Sequence, residues 1–170
     1  LYDWAKESFE TELPEDIMDG ENLYRIESKL REYGKALEGE HMRYLYLCPE
    51  NELRPPNGFT FEIYEGEEMQ QLYKLPDFDN ALNYWLKGEV LAIVAKKEGE
   101  IAAMVAADSY VKGLWQIGID TVAKFRRCGL ASYLVKELAE EIVKRGGIPY
   151  YTTWAPNLAS TNTALKAGFR

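Results

Sequence analysis

Between Leu91 and Val122 the chain passes through three apolar segments with almost no connecting length, and then its hydrophobic period changes. Leu91 to Lys97 and Ile101 to Ser109 are separated only by Glu98-Gly99-Glu100, a tight hairpin signature, and Leu114 to Val122 follows a second glycine-bearing turn at Lys112-Gly113. Turns this short leave no room for a crossover, so these segments predict neighbouring strands of one sheet. Beyond them Leu130, Leu134, Leu138 and Ile142 step by four with Ala131, Val135, Ala139 and Val143 beside them, which is a helix. Lys144-Arg145-Gly146-Gly147 supplies its basic last turn and glycine stop. Ile148 to Trp154 predicts a further strand and Asn157 to Ala167 a last helix, stopped by Gly168. Strands and helices thus share one layered α/β (α+β) domain.

Upstream, Phe59, Phe61 and Ile63 alternate with Thr60, Glu62 and Tyr64 as a half-buried strand, and Glu67 to Leu75 and Asp79 to Leu86 predict short helices split by Pro76. Residues 1–57 look different. Leu23, Ile26, Leu30, Tyr33 and Leu37 mark an amphipathic helix over Glu21 to Leu37, with a start signal at Asp19-Gly20 and a stop at Gly39. A short strand is expected from Met42 to Leu47, then a connection from Cys48 to Gly58 rich in Pro and Asn. The expected division is therefore a helical N-terminal extension or partial domain over 1–57 and the main domain over 58–170.

Charge and cysteine content narrow the chemistry. With 28 acidic and 20 basic residues the formal charge is −8, which disfavours general attraction to nucleic acid, because such binding rests on clustered Lys and Arg. A cationic or amine-bearing small molecule is the more natural partner. One His and two Cys cannot assemble a disulfide framework or a His/Cys zinc site; Asp and Glu could still hold a Mg²⁺, but no metal is expected. No apolar run reaches the roughly 18 residues of a membrane span, and the chain opens Leu1-Tyr2-Asp3-Trp4 without a signal core. The expected location is cytoplasmic, away from membranes. The absence of an initial Met predicts a fragment or a processed form.

The segment richest in chemistry joins the third strand to the long helix: Phe125-Arg126-Arg127-Cys128-Gly129-Leu130-Ala131-Ser132. Small residues before a helix leave backbone N–H groups aimed outward, where the helix dipole favours negative charge, so such a loop can cradle a phosphate or pyrophosphate. Arg126 and Arg127 add positive charge to an acidic chain. The same composition also fits an ordinary glycine turn with solvated arginines. The loop lacks the P-loop lysine and the three-glycine dinucleotide fingerprint, which disfavours a plain nucleotide-binding domain.

This junction resembles the signature of the GNAT superfamily of acyl-CoA-dependent N-acetyltransferases, which runs Arg or Gln, two residues, Gly, one residue, Gly or Ala. A second family element follows: Asn157-Leu158-Ala159-Ser160, then Ala164-Leu165-Lys166-Ala167-Gly168-Phe169. The resemblance covers about Gly58 to Arg170. It implies a GNAT-like mixed, mostly antiparallel twisted sheet flanked by helices, in which the strand before the loop and the strand Ile148 to Trp154 splay apart to admit acetyl-CoA. It further implies that the Ile119, Thr121 and Val122 backbone holds the pantetheine arm. Arg126, Arg127, Cys128, Gly129, Leu130, Ala131 and Ser132 would hold the pyrophosphate, and Asn157 would reach the pantetheine, unless it merely caps the last helix. The family continues into one or two more strands after Gly168-Phe169-Arg170, so either the chain lacks them or another segment covers that sheet edge.

The implied reaction is direct attack of a primary amine on the acetyl-CoA thioester. Many relatives place a tyrosine, as proton donor to the leaving thiol, where this chain has Ala164; Tyr150 or Tyr151 on the adjacent strand offers a substitute. Asp120, on the same alternating face as Gln116 and Gly118, is the candidate base, with a solvated or structurally paired aspartate as the alternative. Cys128 has no His partner and no acyl-enzyme to form, and His41 is read as a surface residue at a strand start. An acceptor pocket between the N-terminal region and the core, with Glu62, Asp77 or Asp79 drawing in a cation, completes this reading. The missing tyrosine motivates a second, a non-catalytic acyl-CoA-binding or sensing module. Protein N-acetylation is a third, and a homodimer is one possible assembly.

Overall fold

The computed structural model describes residues 1–12, 19–37, 41–48 and 52–170. It forms two compact units, Leu1–Glu40 and His41–Arg170. The first contains α1 (Tyr2–Phe9) and α2 (Gly20–Arg31). Asp19 caps α2 as its sequence suggests, its side chain accepting from the Asn22 N–H at 2.8 Å. The helix ends at Arg31 rather than Leu37, because Gly34 takes φ +66° and the Lys35 N–H closes back onto the Leu30 carbonyl at 3.0 Å. Gly39, the expected stop, lies outside the described residues. Arg25 ties the two helices, donating to the Ser8 carbonyl at 3.0 Å and lying over the Phe9 ring at 4.9 Å. Among the described residues of this unit no apolar side chain is buried.

The second unit is built on a six-stranded sheet in the order β1-β6-β5-β4-β3-β2, with β1 His41–Leu45, β2 Thr60–Glu65, β3 Glu89–Lys97, β4 Glu100–Val111, β5 Leu114–Thr121 and β6 Ile148–Trp154. All neighbours are antiparallel except β5 and β6. In the β3–β4 turn both Glu98 (φ +52°) and Gly99 (φ +82°) are left-handed, the geometry that matches strand twist in a two-residue hairpin. The apolar runs of β3 and β4 are continuous because both faces of the sheet are covered. On one face α4 (Leu130–Lys144) and α5 (Leu158–Ala167) enclose Leu91, Val105, Ile117, Leu134, Leu138 and Phe169; on the other, α3 (Met69–Leu72) and the following turns enclose Met69, Leu82, Val94 and Met104.

Two departures from the sequence reading matter for the site. The chain divides at residue 40, not 57, because β1 pairs with β6 from His41↔Trp154 to Leu45↔Tyr150. The far edge of β1 meets the last residues, with Leu45 and Arg170 exchanging backbone hydrogen bonds at 2.8 and 2.9 Å. β1 thus covers the edge of β6 that the sequence left open. In the second departure, the helix expected over Asp79 to Leu86 does not form. Side-chain oxygens take its amides: Asp120 accepts from Asn80 and Ala81, the Asn83 side chain from Trp85 and Leu86, and Glu89 from Asn83.

Candidate functional site

β5 and β6 pair only from Leu114↔Ile148 to Ile117↔Tyr151. Beyond that point β5 stays bonded to β4 as far as Thr121, and β6 stays bonded to β1 as far as Trp154, so each strand follows its outer neighbour and the two diverge. The gap is a cleft of about 960 Å³. Its Gly118–Thr121 wall presents a strand edge with no β6 partner, to which an extended ligand can add as a further strand. Side chains tie off the apex. On one face the Tyr150 hydroxyl donates to Gln116 at 2.9 Å and the Gln116 amide to Thr152 at 3.1 Å; on the other, Tyr151 and Ser160 share a hydroxyl hydrogen bond of 2.8 Å.

The mouth of the cleft is the β5–α4 junction. Arg127 (φ +65°) and Gly129 (φ +83°) both turn left-handed there, and no side chain caps α4. A Cβ on Gly129 would meet nothing within 4 Å, so backbone conformation, rather than crowding, selects glycine. The first amides of α4 are free for an anion. Arg126 folds back, its Nε donating to the Thr121 carbonyl at 3.0 Å, and neither arginine forms an ion pair among the described residues. The buried Thr121 hydroxyl has no hydrogen-bond partner among the described residues. An unpaired strand edge, an orphaned hydroxyl and a free helix N-terminus beside two arginines together fit a long, polar, anionic ligand.

Most of the residues the sequence assigned to this ligand line the cleft: Ile119, Thr121, Arg126, Arg127, Gly129, Leu130, Ala131, Ser132 and Asn157. Val122 and Cys128 do not. The Val122 N–H bonds the Ala102 carbonyl, and the Cys128 thiol points to the Phe125 carbonyl at 3.1 Å. Asn157 acts as the cap of α5, accepting from the Ser160 N–H at 3.1 Å, while still facing the cleft. The opposite wall was not legible in the sequence: Thr152, Thr153, Thr163 and Lys166 line it, as does His41, placed beside Trp154 by the β1 register.

Asp120 lines the cleft, but its carboxylate is already engaged. Its carboxylate accepts from the Asn80 N–H at 2.8 Å, the Asn80 side-chain amide at 2.6 Å and the Ala81 N–H at 3.0 Å. Three donors on two oxygens leave little lone-pair capacity for a substrate proton, and they fasten the 78–83 turn across β5. Gly118 belongs to the same contact, since a Cβ there would lie 1.9 Å from the Asn80 carbonyl oxygen. Of the other acidic residues, Glu62 pairs with Lys96 and Tyr64. Asp79 lines a second cavity of about 170 Å³ with Glu89 and Asp108, and its walls share Asn80, Gln116 and Gly118 with the cleft. There burial, with the Glu89 charge adding to it, raises the Asp108 carboxyl above its ordinary pKa. Glu89 is occupied by the Tyr73 hydroxyl and the Asn83 N–H, both at 2.6 Å.

Residues 48–170 match the model of the GNAT acetyltransferase family. The structure is similar to an acetyltransferase of the GNAT family from Colwellia psychrerythraea (17% identity, TM-score 0.59, covering 78% of this chain and 53% of that one). It is also similar to a GCN5-related N-acetyltransferase-like protein from Streptococcus suis (18%, 0.57, 84% and 63%) and to a GCN5-related N-acetyltransferase from Sphaerobacter thermophilus (16%, 0.59, 84% and 52%). This chain therefore spans between about half and two thirds of those relatives' lengths. At such identities the likeness is one of fold. No curated protein matches the chain in sequence.

Proposed function

The chain belongs to the GNAT acetyltransferase family, and on that premise we propose that it transfers an acetyl group from acetyl-CoA to a primary amine of a small molecule by direct attack on the thioester. The observation that supports this best is the abrupt end of β5–β6 pairing at Ile117↔Tyr151, which opens the cleft between two strands held firmly on their outer sides. In this reading the pantetheine arm pairs with the free edge at Ile119 and Thr121. The first amides of α4, with Arg126 and Arg127, take the pyrophosphate, and the thioester lies near the apex at Gly118. The amine nitrogen attacks the carbonyl carbon, a backbone N–H of the β5 edge steadies the oxygen, and the carbon–sulfur bond breaks.

Asp120 then serves as a positioning residue that seats the 78–83 turn beside the apex, not as the base. The small acidic cavity behind Gln116 supports a cationic acceptor, because Asp79, Glu89 and Asp108 concentrate negative charge one wall away from the thioester.

The test pairs a thermal-shift titration with CoA and a thiol-release assay with acetyl-CoA across free amines, amino acids, aminoglycosides and a lysine-bearing peptide. A CoA-dependent rise in Tm with release on a free amine is the expected result. Absence of any shift with CoA overturns the reading. A shift with no release on any acceptor favours a sensing module, and release on the peptide alone favours protein acetylation.

A further inference from the structure

The sheet face that carries α3 and the 78–86 turn is covered only in part. The covering residues pack over Ala92, Val94, Met104 and Ala106, all on β3 and β4. The strand register carries the same face onward across β5, β6 and β1, where Glu89, Asp108, Gln116, Tyr150 and Leu45 stand opposite one another in a single cross-strand row. At its β3–β4 end the row opens into the cavity of about 170 Å³, where Glu89 and Asp108 meet Asp79. Among the described residues no lysine or arginine pairs with any of these three. The far end of the row is bare: Leu45 is 52% exposed, and Ile148, two residues along β6 from Tyr150, is 54% exposed. Between the two ends Gln116 and Tyr150 are half-buried and joined by their 2.9 Å hydrogen bond. Such a surface complements a molecule that is apolar along its length and cationic at one end. At about 4.8 Å per strand, Asp108 on β4 and Leu45 on β1 lie about 14 Å apart, the reach of an extended chain rather than of a compact ring. Gln116 and Gly118 belong to both the cavity and the cleft, so whatever occupies the row lies beside the thioester position, which points to the acceptor rather than to a second copy of the chain.

We propose that the acceptor is a primary amine on an extended apolar body, with its ammonium end in the Asp108–Glu89 cavity and its body lying along Tyr150 to Leu45 and Ile148. This rests on the acetyltransferase reading above and narrows its substrate class. Asp108 is the carboxylate with capacity to spare. Both Glu89 oxygens are taken, by the Tyr73 hydroxyl and the Asn83 N–H, whereas Asp108 receives only the Tyr110 N–H at 3.4 Å. Burial opposes its charge, and a bound cation relieves that opposition. Every methylene laid on the bare face removes apolar surface from water. A polyhydroxylated amine gains nothing on Leu45 and Ile148 and must shed water from its hydroxyls there, so it is selected against. The bound ammonium loses one proton to water before its nitrogen attacks, and amine and thioester become amide and thiol as described above.

The test measures binding directly. Isothermal titration of the CoA-loaded protein with n-alkylamines from ethylamine to decylamine should show Kd falling about threefold per methylene until the chain reaches Leu45, and then levelling. Glucosamine should bind more weakly than hexylamine, which has the same number of carbons. Leu45→Ser with Ile148→Ser should remove most of the gain among the longer amines, and Asp108→Asn should weaken every member about tenfold, through loss of a charge-assisted contact. CoA affinity reports that the variants fold. A flat series in the wild type, tighter binding of glucosamine than of hexylamine, or an unmoved series in a folded Asp108→Asn overturns the proposal. So does sedimentation showing a dimer that decylamine does not dissociate and whose formation Leu45→Ser with Ile148→Ser abolishes, which assigns the face to a second copy. Should the variants not fold, the wild-type series alone decides. Failure of the wild type to bind CoA overturns instead the acetyltransferase reading, and the same series on the free protein still decides whether this face takes an apolar cation.

Discussion

On one face of the sheet α4 and α5 bury Leu134, Leu138, Ile142 and Phe169 through regular helical spacing, whereas the other face is closed by the 78–86 segment, which side-chain oxygens hold in turns. Both faces enclose apolar cores, but they are secured differently. The helical face depends on apolar burial shared among many side chains. The turn face depends in addition on a few carboxylates and on one glycine, so single polar or steric substitutions there should have specific effects.

Gly118→Val should have the largest effect, because its Cβ would drive into the Asn80 carbonyl, a backbone atom that no rotamer change can move. A loss of about 3 kcal/mol in urea unfolding is expected, at the upper end for overpacking. A change within about 0.5 kcal/mol would show that the turn floats and that the two faces are alike. Asp120→Asn should come next, at about 2 kcal/mol, since the amide that replaces one carboxylate oxygen would face N–H donors. Turnover of this variant should fall by a similar factor at neutral and high pH; recovery at high pH would restore Asp120 as a base. Gly129→Ala, on the helical side, should cost only about 1 kcal/mol through its φ of +83°. It should nevertheless weaken CoA binding at least tenfold if the junction amides hold the pyrophosphate, as isothermal titration would measure.

The smallest effect concerns Asp108. Its carboxyl is raised mainly by burial, so the folded chain binds its proton more tightly than the unfolded chain does. The contribution of this carboxyl to stability should therefore fall as pH climbs through the unfolded carboxyl value of about 3.9 toward the raised folded one. Asp108→Asn should be slightly more stable than wild type at pH 7, with the gain vanishing in acid. An equal difference at both pH values would mean that the charge is not the cause.

The helical face was largely legible in the sequence because its code is local. Period four from Leu130 to Ile142, glycine stops at Gly146 and Gly168, and the Asn157 cap each depend on residues within a turn or two of each other. The turn face was misread for the opposite reason. Asp79 to Leu86 has helical spacing, yet the acceptors that win its amides include Asp120, forty positions away in the chain and adjacent only once β5 has paired with β4. The same holds for the cleft. Gly129 and the arginines announced its mouth, but the Thr152, Thr163 and Lys166 wall and the place of His41 depend on how β1, β6 and α5 come together.

The sequence by itself determined the order of the strands and of α4 and α5 in the main unit, its family, and the loop that can receive an anion, because period, turn glycines and motif spacing are properties of neighbouring residues. Only the tertiary structure decided that β1 covers the outer edge of β6, that Asp120 is spent on the 78–83 turn, and that Tyr151 meets Ser160 beside the open edge of β5. Each of those is a competition for hydrogen-bond partners among segments far apart in the chain, and its outcome depends on which groups folding brings within about 3 Å of one another.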